Sequence, residues 1–242
     1  MFLFLQEHWL PFHDVDTHLD GDFPGYRFLS TASDMFTPAE DLMMTPGTAW
    51  QGTTIGWSAE IDKNVTKLPI ISDRFCGVFY ADGELSFLSY SAYLPTSGQD
   101  EDFLEVLDQL RSDVTQHKLD NSTIIIGADT NQSAKSSKRR TEAMDRFRKE
   151  FSLDSILVSN EPTFHHNNQT SVSQIDTILF YIPEKSEIGL EYSDHLCKLK
   201  NSANLSSHDV ILGNIKIPLR STNIPEADYS ETYEPFIVNK PK

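Results

Sequence analysis

Residues 123–131 read Thr-Ile-Ile-Ile-Gly-Ala-Asp-Thr-Asn. Ile124, Ile125 and Ile126 are continuous, β-branched and introduced by Asn121-Ser122, so the run predicts a strand covered on both faces. A strand with no polar face must lie inside a sheet that has layers above and below it, which restricts the chain to layered folds. The run ends in a glycine, a carboxylate and a carboxamide. These residues also suit an ordinary strand exit, because each tolerates turn geometry; the rest of the chain decides between a turn and a site.

Around this strand the pattern alternates. "MFLFLQ" (1–6), "TTIGWSA" (53–59), "CGVFYA" (76–81) and "ELSFLSYSAYLP" (84–95) predict strands, with turn signals at Asp82-Gly83 and Pro95. Residues 101–117 place Phe103, Val106, Leu107, Leu110 and Val114 at helical spacing behind acids in the first turn. A second helix is predicted over about 139–151, with Ala143, Met144, Phe147 and Phe151 on one face. "PTFHH" (162–166), "SQIDTILFYIP" (173–183) and "DVILGNIKIP" (209–218) predict late strands. Short strands with helices between them predict one α/β domain over residues 1–218. The Pro-rich, aperiodic segment 219–242 reads as a flexible tail or linker.

Composition sets limits on function. Hydrophobic residues make up 38% of the 242, with 15 Phe and 8 Tyr, which excludes a disordered polypeptide. No apolar run reaches the roughly eighteen residues of a membrane span. "MFLFLQEHW" lacks a basic leader, so the chain reads as intracellular, nuclear or cytoplasmic, and not secreted. In that setting the sequons at Asn64, Asn121, Asn131, Asn168 and Asn204 carry no weight, and Cys76 and Cys197 read as idle or buried thiols. Twenty basic against 36 acidic residues give a net charge of −16, which repels polyanions at long range. A nucleic-acid enzyme of this charge needs a metal ion, a local basic patch or another domain to dock its substrate.

Four acid- or histidine-bearing segments fall at predicted strand ends: Gln6-Glu7, "GADTN", "QID" (174–176) and "SSHD" (206–209). Carboxylates so placed, away from lysine runs, suit a divalent cation that takes hard oxygen ligands and leaves room for water and a phosphate oxygen. A nearby carboxylate can accept a proton from water, and a histidine can bring positive charge to a phosphoryl transition state.

In order and spacing these segments resemble the endonuclease/exonuclease/phosphatase family, the deoxyribonuclease I-like proteins. They are most similar to the apurinic/apyrimidinic-type endonuclease domain of non-LTR, LINE-type retrotransposons. The match runs through "FLFLQEHWL", "SAYLPTSG", "GADTN", "PTFHHNNQTSVSQIDTILF" and "SSHD" before a closing strand, over about residues 1–218. The resemblance implies a four-layer α/β sandwich of two packed, mainly antiparallel sheets flanked by helices. It implies metal-dependent phosphodiester hydrolysis, namely DNA nicking with Mg2+ or Mn2+, and a C-terminal reverse transcriptase domain as partner in a parent polyprotein. Carried onto this sequence, Glu7 is the metal ligand and Tyr93 contacts the scissile phosphate. Asp129 activates the water, Asn131 holds a phosphate oxygen or that water, and Asp176 orients His208, which stabilises the transition state. A phosphatase or phospholipase of the same fold, acting on a small or lipid phosphate, is the alternative within the family; an inactive retroelement remnant is the alternative outside it.

The sequence departs from the family pattern in several places. The family's opening strand, its helix and an asparagine are missing, so the chain reads as N-terminally truncated. Ala128 stands as an insertion in the usual Gly-Asp-x-Asn, and Ser207 replaces an aspartate, which leaves metal binding sparse. Asp194-His195 spells the final motif literally, but only His208 leads into an apolar strand. His165-His166 read as exposed loop residues, since neighbours on a strand point to opposite faces. The basic run "KSSKRRTEAMDRFRK" (135–149) lies beside the candidate site, and Lys138, Arg139 and Arg140 are its candidate DNA contacts.

Overall fold

The computed structural model of the protein describes residues 2–8, 15, 18–19, 21–32, 52–83, 85–96, 98–132, 136–156, 162–165, 172–183, 194–197 and 210–213. The Thr-Ile-Ile-Ile run opens the strand β7 (Thr123–Asp129), and every residue of that strand is buried. It sits inside a six-stranded sheet. Counting strands in chain order, this sheet holds β4 (Val65–Lys67), β5 (Phe75–Asp82), β6 (Leu85–Tyr93), β7, β11 (Asp176–Tyr181) and β8 (Asp154–Ile156), side by side in the order β4-β5-β6-β7-β11-β8.

Among the described strands the β6–β7 pair is the parallel one, and the connection between them is the helix α1 (Asp100–His117). A parallel neighbour cannot be reached by a tight turn, so the chain must cross over one face of the sheet. Phe103, Leu107, Leu110 and Val114 of α1 bury against that face, as the helical spacing predicted. A second helix, α2 (Lys138–Glu150), lies on the same side through Ala143, Met144 and Phe147. Its N-cap is Ser137, whose hydroxyl accepts from the Arg140 amide at 3.3 Å. Alternation along the strands sends Leu88, Tyr90 and Ala92 of β6, Ile124, Ile126 and Ala128 of β7, and Leu179 of β11 into this helix-side core. Each buried Ile or Leu there contributes about 1.5–3 kcal/mol.

The other face of the large sheet meets a three-stranded sheet of order β1-β3-β2: β1 (Phe2–Gln6), β3 (Thr53–Ser58) and β2 (Tyr26–Thr31). Ile55 and Trp57 of β3 and Phe2 and Phe4 of β1 pack on Cys76 and Val78 of β5. The outer face of the small sheet is covered by Val15, Leu19 and Phe23 packing with Leu3, Leu5 and Phe28. The protein is therefore an α/β sandwich of two packed sheets flanked by helical layers. A Cβ built on Gly127 would stand 2.3 Å from the Phe4 ring, so the glycine of "GAD" leaves the room in which Phe4 of the small sheet packs.

Two short ladders complete the described residues: β9 (Phe164–His165) with β10 (Val172–Ser173), and β12 (Asp194–Cys197) with β13 (Val210–Gly213). The sequence reading missed β2, β4, β8, β10 and β12; all but β2 are no more than four residues long, too short for period-two alternation to register. His165 stands in β9 rather than in a loop, while His166 lies outside the described residues. The expected tail 219–242 also lies outside them. Among the described residues no helix is long and apolar enough to cross a membrane.

Candidate active site

Three of the residues singled out by the sequence fall in one row across neighbouring strands. Tyr93, the last residue of β6, pairs in parallel register with Asp129, the last residue of β7, and Asp129 pairs with Asp176, the first residue of β11. All three alternate with residues of the helix-side core, so their side chains lie on the face turned toward the small sheet. Ala128 takes part unbroken in both ladders, opposite Ala92 and Thr177, and its methyl joins the helix-side core. The extra residue is therefore accommodated without a bulge, and Gly127 and Asp129 share the opposite face.

The small sheet brings Glu7 to this row. Phe2, Phe4 and Gln6 alternate inward, and the Gln6 amide donates to Ser91 Oγ at 2.9 Å and to the Gly127 carbonyl at 3.2 Å, tying the two sheets together. Continued alternation would turn Glu7 outward, but Glu7 has φ +53° and its N–H donates to the Gly52 carbonyl at 2.9 Å. This left-handed backbone breaks the alternation, and the Glu7 carboxylate accepts the Tyr93 hydroxyl. Burial above all, then Glu7 and Asp129, pushes the Tyr93 phenol well above its ordinary value, while Arg74 opposes the shift. Tyr93 is thereby kept as a neutral hydrogen-bond donor.

Among the described residues Glu7, Asn131 and Ser152 are the non-glycine residues with positive φ. Two of the three are site residues, and such backbone strain concentrates where function holds a residue in place. At φ +47° the Asn131 amide N–H donates to Asp129 Oδ1 at 2.9 Å, and its Nδ2 donates to the Leu94 carbonyl at 2.8 Å. The loops after β6 and β7 are joined by that second bond, and Asp129 and Asn131 form one unit.

A residue without an assigned role holds Asp176. The fully buried Thr163 hydroxyl accepts from the amides of both Ile175 and Asp176, at 3.1 Å each. Thr130, the residue after β7, mirrors it, its hydroxyl donating to the Ile175 carbonyl at 2.7 Å. The signal in the sequence is the threonine of "PTF", a motif of the family resemblance.

The basic run needs a correction. Arg140 is not a surface cation: it is 1% exposed, lies 4.1 Å over the Phe103 ring, and donates to the carbonyls of Pro95, Thr96 and Asn131. It fastens the loops that follow β6 and β7 and cannot also present its charge to DNA. Arg139 is exposed but paired through two nitrogens with Glu101, and Lys138 lies 3.6 Å from Glu142. Of the two candidate histidines, His208 lies outside the described residues, two positions before β13, whereas His195 stands within β12 opposite Leu212. Among the described residues no three of His, Cys, Asp and Glu gather into a metal cluster. The carboxylates of Glu7 and Asp129 are hard oxygen donors, the kind that magnesium or manganese takes and that zinc does not favour.

No protein-family model and no curated protein sequence matches the chain. Solved structures do. The endonuclease domain of TRAS1, a telomere-specific non-LTR retrotransposon, is 16% identical with a TM-score of 0.53, over 80% of this chain and 81% of that one. An endonuclease/exonuclease/phosphatase from Bacteroides vulgatus is 13% identical with a TM-score of 0.59, over 89% and 85%. A mannosyl-6-phosphatase from Bacteroides thetaiotaomicron is 13% identical with a TM-score of 0.54, again over 89% and 85%. The chain has the endonuclease/exonuclease/phosphatase fold, one carried by both nucleases and phosphatases.

Proposed function

We propose that the protein is a divalent-metal-dependent phosphodiester hydrolase that nicks DNA. The observation that carries this reading is the row Tyr93–Asp129–Asp176, met from the opposite sheet by Glu7. Glu7 would hold magnesium or manganese, which would supply Lewis-acid charge to the phosphate. Asp129, its Oδ1 already fixed by the Asn131 amide, takes the proton of the attacking water. Asn131 holds a phosphate oxygen with the second hydrogen of Nδ2, and Tyr93 turns its one O–H from Glu7 to the same phosphate once Glu7 is engaged by the cation. Asp176 orients His208, whose cationic ring stabilises the developing charge. A reverse transcriptase domain as covalent partner belongs to the same proposal and is supported by the likeness to a retrotransposon endonuclease. Nicking of supercoiled plasmid tests the reading. Nicked circles should form with magnesium or manganese and not with EDTA, and nicking that persists in EDTA or in Asp129→Asn rejects it.

A second reading, hydrolysis of a small phosphomonoester, is favoured by one observation. At a net charge of −16, the basic residues of the first turn of α2 are engaged by Glu101, Glu142 and backbone carbonyls rather than displayed to a polyanion. Turnover of p-nitrophenyl phosphate without plasmid nicking selects it.

A further inference from the structure

Lys138, Arg139 and Arg140 are engaged by Glu142, Glu101 and backbone carbonyls, so the first turn of α2 does not display them to a phosphate. We propose that Arg74, on the loop between β4 and β5, is the phosphate-binding cation of this site, so that the substrate's anionic oxygens approach over that loop rather than over α2. This rests on the phosphoester-hydrolase reading above and adds to it a substrate-binding residue.

The placement is set by the backbone. The Tyr93 N–H donates to the Arg74 carbonyl at 2.8 Å, immediately beyond the Phe75–Ala92 pair, which prolongs the β5–β6 pairing by one step and fixes Arg74 beside the catalytic row. The loop is pinned on its other side as well. Ser72 Oγ accepts the Arg74 amide at 3.2 Å, and the Ser72 carbonyl accepts the Thr31 hydroxyl at 3.0 Å. The guanidinium lies 5.1 Å from the centre of the Tyr93 ring, the ring whose hydroxyl is bound to Glu7. Carboxylate, phenol and guanidinium therefore converge on the same end of the sheets.

Position separates Arg74 from the other cations without a hydrogen bond or ion pair, which include Lys63 in the turn before β4 and Arg146 and Lys149 on α2, and partnership separates it from the rest. Arg111 is bound to Asp108 and Glu150, Arg139 to Glu101, and Lys67 to the Phe28 carbonyl. The guanidinium of Arg74 makes no hydrogen bond or ion pair with any described residue, although the chain has 36 acids for 20 bases. Stacking on Tyr93 holds the planar fork without using its N–H donors, and those donors match two oxygens of one phosphate.

The test compares wild type, Arg74→Gln, Arg74→Lys and the distant charge control Lys63→Gln. The substrates are supercoiled plasmid, bis(p-nitrophenyl) phosphate and p-nitrophenyl phosphate, with inorganic phosphate as competing ligand. Arg74→Gln should lower kcat/KM by about tenfold or more on whichever ester the wild type cleaves, and should weaken inhibition by inorganic phosphate by a similar factor. Arg74→Lys should recover part of both, keeping the charge but not the fork. Lys63→Gln should change neither, and the melting temperatures of all four should agree within a few degrees. A loss confined to plasmid assigns Arg74 to a flanking phosphate of the polymer, and a loss on the small esters assigns it to the scissile one. Wild-type kinetics and phosphate inhibition in Arg74→Gln overturn this proposal alone. So does an activity loss in both Arg74 variants that tracks a lowered melting temperature. A wild type that cleaves none of the three substrates overturns the proposed function, and this inference with it.

Discussion

Asp129 and Asp176 stand directly opposite one another, the last residue of β7 against the first of β11. Facing positions put their Cβ atoms about 5 Å apart, and like charges so placed cost on the order of 1 kcal/mol. A fold selected for stability alone would not retain that pair in a position where Asp129 is 1% exposed. The proposed function accounts for the pair: Asp129 would take the proton of the attacking water and Asp176 would orient His208. Asp129→Asn should lower kcat by about 10²–10⁴-fold, the usual value of a general base. Because the two carboxylates act as a unit, the double variant with Asp176→Asn should fall within about tenfold of the worse single variant. Single-turnover rates of folded protein decide it; an Asp129→Asn enzyme within tenfold of wild type removes the general base from the mechanism.

Thr163 offers a sharper separation of stability from positioning. Valine fills the same volume but leaves the amides of Ile175 and Asp176 without their acceptor in a buried place. Each orphaned donor costs about 1–3 kcal/mol. Thr163→Val should therefore lose roughly 2–4 kcal/mol in urea unfolding and lose activity in the fraction that remains folded, whereas Thr163→Ser should stay close to wild type in both. Equal behaviour of the two variants would show that the hydroxyl has no part in holding Asp176.

The sequence disclosed its local features and hid those that depend on register. β7 was legible because three isoleucines in a row fit no exposed element, and the faces of α1 and α2 were legible because their apolar spacing is helical. The row Tyr93–Asp129–Asp176 was legible only through resemblance, since nothing local states that residues so far apart in the chain share a ladder rung. Glu7 was found, but its positive φ was not, because glutamate has no preference for that conformation. Arg140 misled for a physical reason. A charged residue on a helix reads as solvent-facing, yet its acceptors are the carbonyls of Pro95, Thr96 and Asn131, contributed by loops whose placement no helical pattern reveals.

Arg140 itself gives the next expectation. Burial pushes its guanidinium below the usual arginine range, and Asp100 opposes the shift, so its carbonyl bonds and its stacking on Phe103 must compensate the desolvation. Arg140→Met should lose about 3–5 kcal/mol, because three carbonyls lose their donor. Arg140→Lys should recover little, because a point charge cannot reach three acceptors in a plane. If Arg140 contacted DNA instead, the lysine would largely restore binding and the salt dependence of binding would carry the defect. Guanidinium chloride unfolding, together with nicking at two ionic strengths, tells these apart.

The last expectation concerns alkaline pH. Cys76 lies between the sheets with Sγ 3.3 Å from the Leu29 carbonyl, and burial pushes its thiol from 9.0 up to about 12, with the bond to Thr53 opposing. Its proton is thus held more tightly in the folded chain than in the unfolded one. Such a group contributes its full stabilisation below pH 9, where both states are protonated. As pH rises from 9 toward 12 the unfolded chain ionises while the folded one does not, so stability falls by about 1.4 kcal/mol per pH unit for this single proton. Tyr90 and Tyr93 are also raised by burial and by their carboxylate neighbours, and they add to the same downward slope above pH 10. Cys76→Ala should shift overall stability through the small cavity it leaves, but the slope between pH 9 and 10 should become shallower by about one proton. The native thiol should also resist iodoacetamide at pH 9. Unfolding free energies of the two proteins, measured at half-unit steps from pH 8 to 10.5, give the difference directly; parallel curves would mean that Cys76 titrates alike in both states and that the sheet interface does not shield it.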